Sequence, residues 1–216
     1  MPLRPHKGRG AVSDREGRFA TRPVEFDDEE AAHRATVAPD TVLRAMQAVS
    51  IISHNNSPDI PFDQSINPYQ GCEHGCVYCY ARPSHSYLDL SPGLDFETQI
   101  FYKPNAASRL LEAWEKPGYE CQPITIGANT DPYQPAEKST KVTRSLLELF
   151  DKHQHPVNLI TKGTLIERDI DLLANLASDI KQIEEYCVLR NPQSEYRAAY
   201  KHTMSWQVQM LNMPCL

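Results

Sequence analysis

Cys72, Cys76 and Cys79 stand in the run Cys72-Glu73-His74-Gly75-Cys76-Val77-Tyr78-Cys79, a C-x3-C-x2-C array with an aromatic residue just before the third thiol. Three thiolates this close on one loop can hold three irons of a cubane cluster and leave the fourth iron without a protein ligand. An open iron is where a substrate or cofactor binds, so the array points to chemistry as well as structure. Structural zinc takes four ligands, usually in two pairs. Here a fourth would have to come from Cys121, Cys187 or Cys215, none of which sits in a second pair. A [4Fe–4S] cluster with one exchangeable iron is the favoured reading, and a zinc-binding module is the alternative.

Such a loop needs elements to position it. Ser65-Ile66-Asn67-Pro68-Tyr69 reads as a short strand running into Gly71 and the cysteines, and Gln99–Lys103 as a further extended segment. Asn105 is placed to cap a helix with Ala107, Leu110, Leu111 and Trp114 on one face. Pro123–Gly127 reads as a buried strand, followed by a helix marked by Val142, Leu146, Leu149 and Phe150. Val157–Thr161 is the next strand. Thr164 to Glu167 has the form of a capping box, opening a helix with Ile166, Ile170, Leu173 and Ala177 on one side.

Strands alternating with helices predict an α/β fold with parallel pairing, in an open sheet or a barrel. Ligands gather at the C-terminal ends of such strands. The cysteine loop, Asn129-Thr130-Asp131 and Lys162 all lie at or just past these ends, so three chemically interesting segments are expected on one face. Upstream, Val42–Met46 reads as one or two helical turns.

The 216 residues carry a formal net charge of -6 and are 40% hydrophobic. No apolar run approaches a bilayer span, and the N-terminus lacks the apolar core of a signal peptide, so no membrane partner and a cytoplasmic location are expected. Six cysteines without a signal peptide favour metal or redox chemistry over a disulfide framework. Residues 1–23 carry Arg4, Lys7, Arg9, Arg15, Arg18 and Arg22 against Asp14 and Glu16, ahead of the acidic run Asp27–Glu30. A basic arm of this kind can touch nucleic acid, and a solvated charged terminus is the plainer reading. The expected organisation is a mostly disordered arm over 1–60, a βα core over 61–178 and an atypical tail over 179–216, where the strand–helix alternation stops.

The cysteine loop resembles the radical SAM signature, C-x3-C-x-aromatic-C, with Tyr78 at the aromatic position. The wider string Asn67-Pro68-Tyr69-Gln70-Gly71-Cys72 through Cys79-Tyr80-Ala81-Arg82 resembles the spore photoproduct lyase-like branch, often labelled DNA repair photolyase. So do Gly127-Ala128-Asn129-Thr130-Asp131-Pro132-Tyr133-Gln134-Pro135-Ala136-Glu137 and Leu159-Ile160-Thr161-Lys162-Gly163 with Arg168–Leu173. Lys7-Gly8-Arg9-Gly10-Ala11 and Gly17-Arg18-Phe19 extend the likeness, which covers roughly residues 7–178.

The resemblance implies a partial barrel of six βα units, of which about three are visible. It implies a [4Fe–4S] cluster on Cys72, Cys76 and Cys79, and S-adenosylmethionine bound at the open iron. A one-electron reductant of flavodoxin or ferredoxin type would feed the cluster. The electron cleaves the sulfonium to methionine and a 5′-deoxyadenosyl radical, which takes a hydrogen atom from substrate. By position, Tyr78 packs beside cluster and cofactor, the Tyr80 backbone meets the adenine edge, Lys162 pairs with the methionyl carboxylate, and Thr130 and Asp131 serve the methionyl amine. His74, between ligands, is expected to face solvent or to stand behind the ligands. Half a barrel would also fit a truncated chain that binds a cluster without turnover.

Overall fold

The computed structural model describes residues 9–13, 15 and 40–178. The tail over 179–216 and most of the N-terminal arm lie outside the described residues. In chain order the elements are β1 (Val42–Ala45), β2 (Ile52–His54), β3 (Gln64–Ile66), β4 (Tyr69–Gln70), α1 (Leu94–Thr98), β5 (Gln99–Tyr102) and α2 (Ala106–Trp114), then β6 (Ile124–Ile126), α3 (Glu137–Thr140), α4 (Val142–His153), β7 (Val157–Leu159) and α5 (Ile170–Ser178). Two 3-10 segments, Arg82–Leu88 and Thr164–Asp169, complete them.

The result is a mixed α/β fold with two open sheets, ordered β1-β5-β4 and β2-β3-β6-β7. In the larger sheet β3, β6 and β7 are parallel neighbours, with Ile66 level with Ile126 and Ile126 level with Leu159. Every residue of these three strands is buried, as expected of parallel strands covered on both faces. Their level ends bring the following loops together, which is what the site requires. Ile66, Ile124, Ile126, Val157 and Leu159 join Leu110 of α2 and Leu146, Leu147 and Phe150 of α4 in one core. Val142, Leu146, Leu147 and Phe150 recur at helical spacing and so form the stripe that α4 buries.

Three local expectations are corrected. Val42–Ala45 is a strand, not a helical turn, because it pairs in parallel with β5 through a partner more than fifty residues away. It and β2 both fall within the stretch 1–60 that the sequence reads as an arm. Asn105 precedes α2 but makes no side-chain cap. Its amide instead grips Ala48, accepting from the Ala48 N–H and donating to the Ala48 carbonyl, both at 2.9 Å.

Thr164 likewise makes no capping box, since Thr164–Asp169 winds as a 3-10 helix. A 3-10 turn advances about 120° per residue against about 100° in an α-helix, so six residues rotate the buried face by about a third of a turn. Ile170 is therefore 63% exposed, and Leu172 and Leu176 are the residues buried with Ile166.

Gly127 closes β6 with φ +90, and a Cβ there would stand 2.3 Å from the Ile160 carbonyl oxygen. Only glycine lets the loops after β6 and β7 approach this closely.

His85, wholly buried, packs edge-on against Phe96 with centroids 5.5 Å apart. Burial holds it neutral, with its pKa lowered from 6.5 to about 4. The unfolded chain binds a proton below about 6.5 that the fold refuses until about 4, so stability falls as pH drops through that window and levels off beneath it. The loss is on the order of 3 kcal/mol. His155, also buried and lowered to about 4, adds a loss of the same sign over the same window. Urea melts at pH 7 and pH 4.5 are expected to show both, and His85→Leu is expected to make the pH dependence shallower without abolishing it. An equally steep profile in the variant would refute the assignment.

Candidate metal centre

The cysteine loop leaves β4 at Gly71 and is seated on an apolar patch of its own, where Cys72 and Ala81 are buried against Phe96, with Cys79 alongside. Cys72, Cys76 and Cys79 are free thiols. The loop backbone is held from three directions. The Cys72 N–H donates to the Phe96 carbonyl at 2.8 Å, joining the loop to α1. Gln134, wholly buried, donates its amide to the Gly71 carbonyl and accepts the Glu73 N–H, both at 3.1 Å, and so brackets Cys72. Arg82 donates through Nε and Nη2 to the Cys76 carbonyl at 3.1 and 2.9 Å, and through Nη1 to the Gly93 carbonyl at 3.1 Å.

The strand ends are tied side chain to backbone. Asn67, after β3, accepts the Asn129 N–H at 2.8 Å and the Thr130 N–H at 3.4 Å through Oδ1. Lys103 Nζ donates to the Asn67 carbonyl at 2.7 Å, and burial lowers its pKa. Thr130 is buried, with its hydroxyl donated to the Tyr69 carbonyl at 2.8 Å.

Asp131 is the busiest group. Oδ1 accepts the Tyr133 N–H at 2.8 Å and the Thr161 hydroxyl at 2.6 Å, and Oδ2 accepts the Lys162 N–H at 2.9 Å. His74 Nε2 stands 3.3 Å from Oδ2. Burial works against this charge, but His74 and the donors from Lys162 and Thr161 outweigh it and keep the carboxyl below its ordinary range.

Held this way, Lys162 places Nζ 2.7 Å from Cys76 Sγ. Burial pulls the ammonium down, while the hydrogen bond to Cys76 and its thiol neighbours push it up, with a net rise. Cys72 lies deeper, and burial pushes its thiol up to about 12. Metal ligation therefore has to displace a proton there. Tyr78 and Tyr80 are 71% and 77% exposed. The Tyr80 hydroxyl donates to the Ala128 carbonyl, bridging the cysteine loop to the loop after β6.

Cys76, His74, Asp131 and Lys162 thus meet, Tyr80 stands over the β6 loop, and Thr130 faces into the fold. Gln134, Arg82, Asn67 and Lys103 are contributors that pattern reading passed over. Asn67 precedes Pro68-Tyr69 and Gln134 precedes Pro135-Ala136, and nothing local distinguishes them from loop residues.

Three free thiols on one short loop with a cation beside them are a donor set suited to an iron–sulfur cluster. Among the described residues no three His, Cys, Asp or Glu side chains converge as around a single metal ion. A cubane makes no such demand, because each thiolate binds a different iron.

Residues 66–184 match the family model of the radical SAM superfamily. The chain belongs to that superfamily. Radical SAM proteins typically use a [4Fe–4S] cluster and S-adenosylmethionine. Among curated relatives, an uncharacterized protein of Mycobacterium tuberculosis is 39% identical over 125 residues, covering 58% of this chain and 37% of the relative. An uncharacterized protein of Methanocaldococcus jannaschii is 30% identical over 113 residues, covering 52% and 40%. The chain's match thus spans well under half the length of these relatives. No solved structure matches it. No helix among the described residues is long and apolar enough to cross a membrane.

Gln134→Ala would leave the Gly71 carbonyl and the Glu73 amide without their buried partner. The expected cost is about 2–4 kcal/mol for two stranded groups. It should appear as a lower denaturant midpoint at unchanged m-value. A midpoint equal to the unaltered chain's would show that Gln134 does not clamp the loop.

Proposed function

We propose that this radical SAM chain binds a [4Fe–4S] cluster through Cys72, Cys76 and Cys79 and cleaves S-adenosylmethionine reductively, in a lyase-like or repair-like reaction of the spore photoproduct lyase-like branch. The placement of Lys162 Nζ 2.7 Å from Cys76 Sγ carries the reading. A cation delivered by the loop after β7 to the rim of the thiol loop is what an anionic ligand beside an open iron requires. When bound, the cluster supplies the electron and the open coordination position.

The chain's own residues then have distinct tasks. Phe96, Gln134 and Arg82 keep the three ligands at their spacing. Lys162 pairs with the methionyl carboxylate as a point charge. Asp131 fixes Lys162 by its backbone, and a methionyl amine would reach that carboxylate by displacing His74, its most distant partner at 3.3 Å. Thr130 secures the same loop through Tyr69. Tyr78 flanks the ligand and the Tyr80 backbone meets its adenine edge. The reductant is of flavodoxin or ferredoxin type. The strings around residues 67–82, 127–137 and 159–173 support the branch, and the substrate is a proposal at the level of that branch alone.

Anaerobic reconstitution with iron and sulfide is expected to yield four irons and four sulfides per chain and a reduced cluster whose electron spin resonance spectrum shifts on adding S-adenosylmethionine. With dithionite, 5′-deoxyadenosine should accumulate. Cys76→Ser is expected to lose the cluster, while its cluster-free chain melts within about 0.5 kcal/mol of the cluster-free parent, as for an accessible substitution. A colourless chain holding one zinc would overturn the reading, and a cluster without cleavage would confine it to cluster binding.

Lys162→Ala removes a charge-assisted hydrogen bond and is expected to weaken S-adenosylmethionine binding about tenfold to a hundredfold, with iron content unchanged. Equilibrium dialysis against the reconstituted chain measures it. An unaltered Kd would remove Lys162 from the site.

A further inference from the structure

Glu97 is a buried carboxylate that the proposed chemistry does not use. It stands on α1, away from the thiols, and gathers three donors. Arg82 Nη2 pairs with Oε1, which also accepts the Ala11 N–H at 2.9 Å, and Oε2 accepts the Gly10 N–H at 3.0 Å. Arg9 adds a bond from Nη1 to the Glu97 backbone carbonyl at 2.9 Å and another from Nη2 to Thr41 Oγ1 at 3.0 Å. Two consecutive amides on one carboxylate form a small anion-holding turn, here filled by the protein's own side chain.

That turn lies directly on the cysteine loop. A Cβ at residue 10 would stand 1.8 Å from the Gly75 carbonyl oxygen and 3.2 Å from Val77. A Cβ at Gly93 would meet the Ser13 carbonyl at 2.0 Å. Residues 9–13 therefore run between Gly75, inside the ligand array, and Gly93, whose carbonyl holds Arg82. From the arm, the connection passes through Glu97 and Arg82 to the carbonyl of Cys76.

The geometry points to a strap: Arg9-Gly10-Ala11 is a built part of the metal centre, positioning Cys76 through Glu97 and Arg82 and covering the Gly75 side of the loop. This rests on the reading that the three cysteines hold a cluster. Gly10, Ala11 and Glu97 are positioning residues, since none touches a thiol. The basic arm then has a local task in its first described residues, whatever else its charge attracts. Glycine is required at position 10 because any side chain would separate the strap from Gly75.

The test compares the reconstituted full chain with three variants. Gly10→Ala lifts the strap by sterics, Ala11→Pro removes the N–H that Glu97 accepts, and Val12→Ala alters an exposed strap side chain with none of these contacts. Iron release to a ferrous chelator and the spin resonance spectrum of the reduced cluster are the readouts. Losing one hydrogen bond to a carboxylate is worth on the order of tenfold. Gly10→Ala and Ala11→Pro are thus expected to release iron about tenfold faster with altered g-values, and Val12→Ala to match the parent.

If the parent itself takes up no cluster, the proposed function fails, and the strap with it. If the parent loads and Gly10→Ala and Ala11→Pro release iron at its rate with its spectrum, the strap alone is overturned. Both substitutions lie outside the core, so a thermal melt unchanged beside faster release separates the positioning role from general instability. Release that rises only in proportion to a lowered melting temperature overturns it.

Discussion

The site depends on one carboxylate. Asp131 sits where the loop after β6 turns away from the sheet, and it takes hydrogen bonds from the Tyr133 amide of its own loop and from Thr161 and Lys162 of the next. Parallel strands bring their C-terminal ends level but do nothing to join the loops beyond them. A largely buried carboxylate with several donors performs that joining. The Tyr133 and Thr161 donors are part-buried and depend on it, and with the Lys162 amide they fix the two loops against each other. Lys162 can be aimed at Cys76 only because its backbone is fixed at the other end.

Thiol spacing was legible because all three ligands lie within eight residues and carry their meaning in order alone. β6 and β7 were legible too, as short, mostly apolar segments bounded by turn residues, whereas β3, Gln64-Ser65-Ile66, carries a single apolar residue. What escaped was long-range or a matter of phase. Gln134 brackets Cys72 from about sixty residues away, and Lys162 reaches Cys76 across eighty-six. Such contacts leave no periodic trace. Asn105 has the composition of a cap but spends its amide on Ala48, a partner supplied by tertiary structure. On the last helix Ile166 and Leu173 do face the core, but Ile170 turns outward because the entry winds as a 3-10 segment and a difference of about 20° per residue accumulates.

A second charge cluster stands behind the site. Glu137 and Asp169, both wholly buried, are shared by Arg168, with Arg144 on Asp169 and Tyr69 donating to Glu137. Tyr133 donates to Asp169 at 3.0 Å. Arg168 therefore closes the 3-10 segment onto α3, and Tyr69 and Tyr133 link this cluster to both ends of the loops that bear the thiols and Asp131. A buried ion pair adds little net stability when its desolvation is counted, but losing one partner is costly. The Arg168-Asp169 pair is thus better understood as fixing where the loops go than as strengthening the fold.

The cysteine loop is held by contacts from the protein itself, and this bears on how a cluster would bind. In small zinc modules, metal binding has to supply the folding free energy because no site exists beforehand. Here the backbone of Gly71–Cys76 is held by Phe96, Gln134 and Arg82, and its outer side by Gly10. Little ordering entropy remains to be lost on ligation, so more of the binding free energy is retained as affinity. Cys72 is fixed and buried, whereas Cys76 and Cys79 are partly open. A cluster assembled against Cys72 would meet the other two from the solvent side, where Lys162 already stands beside Cys76.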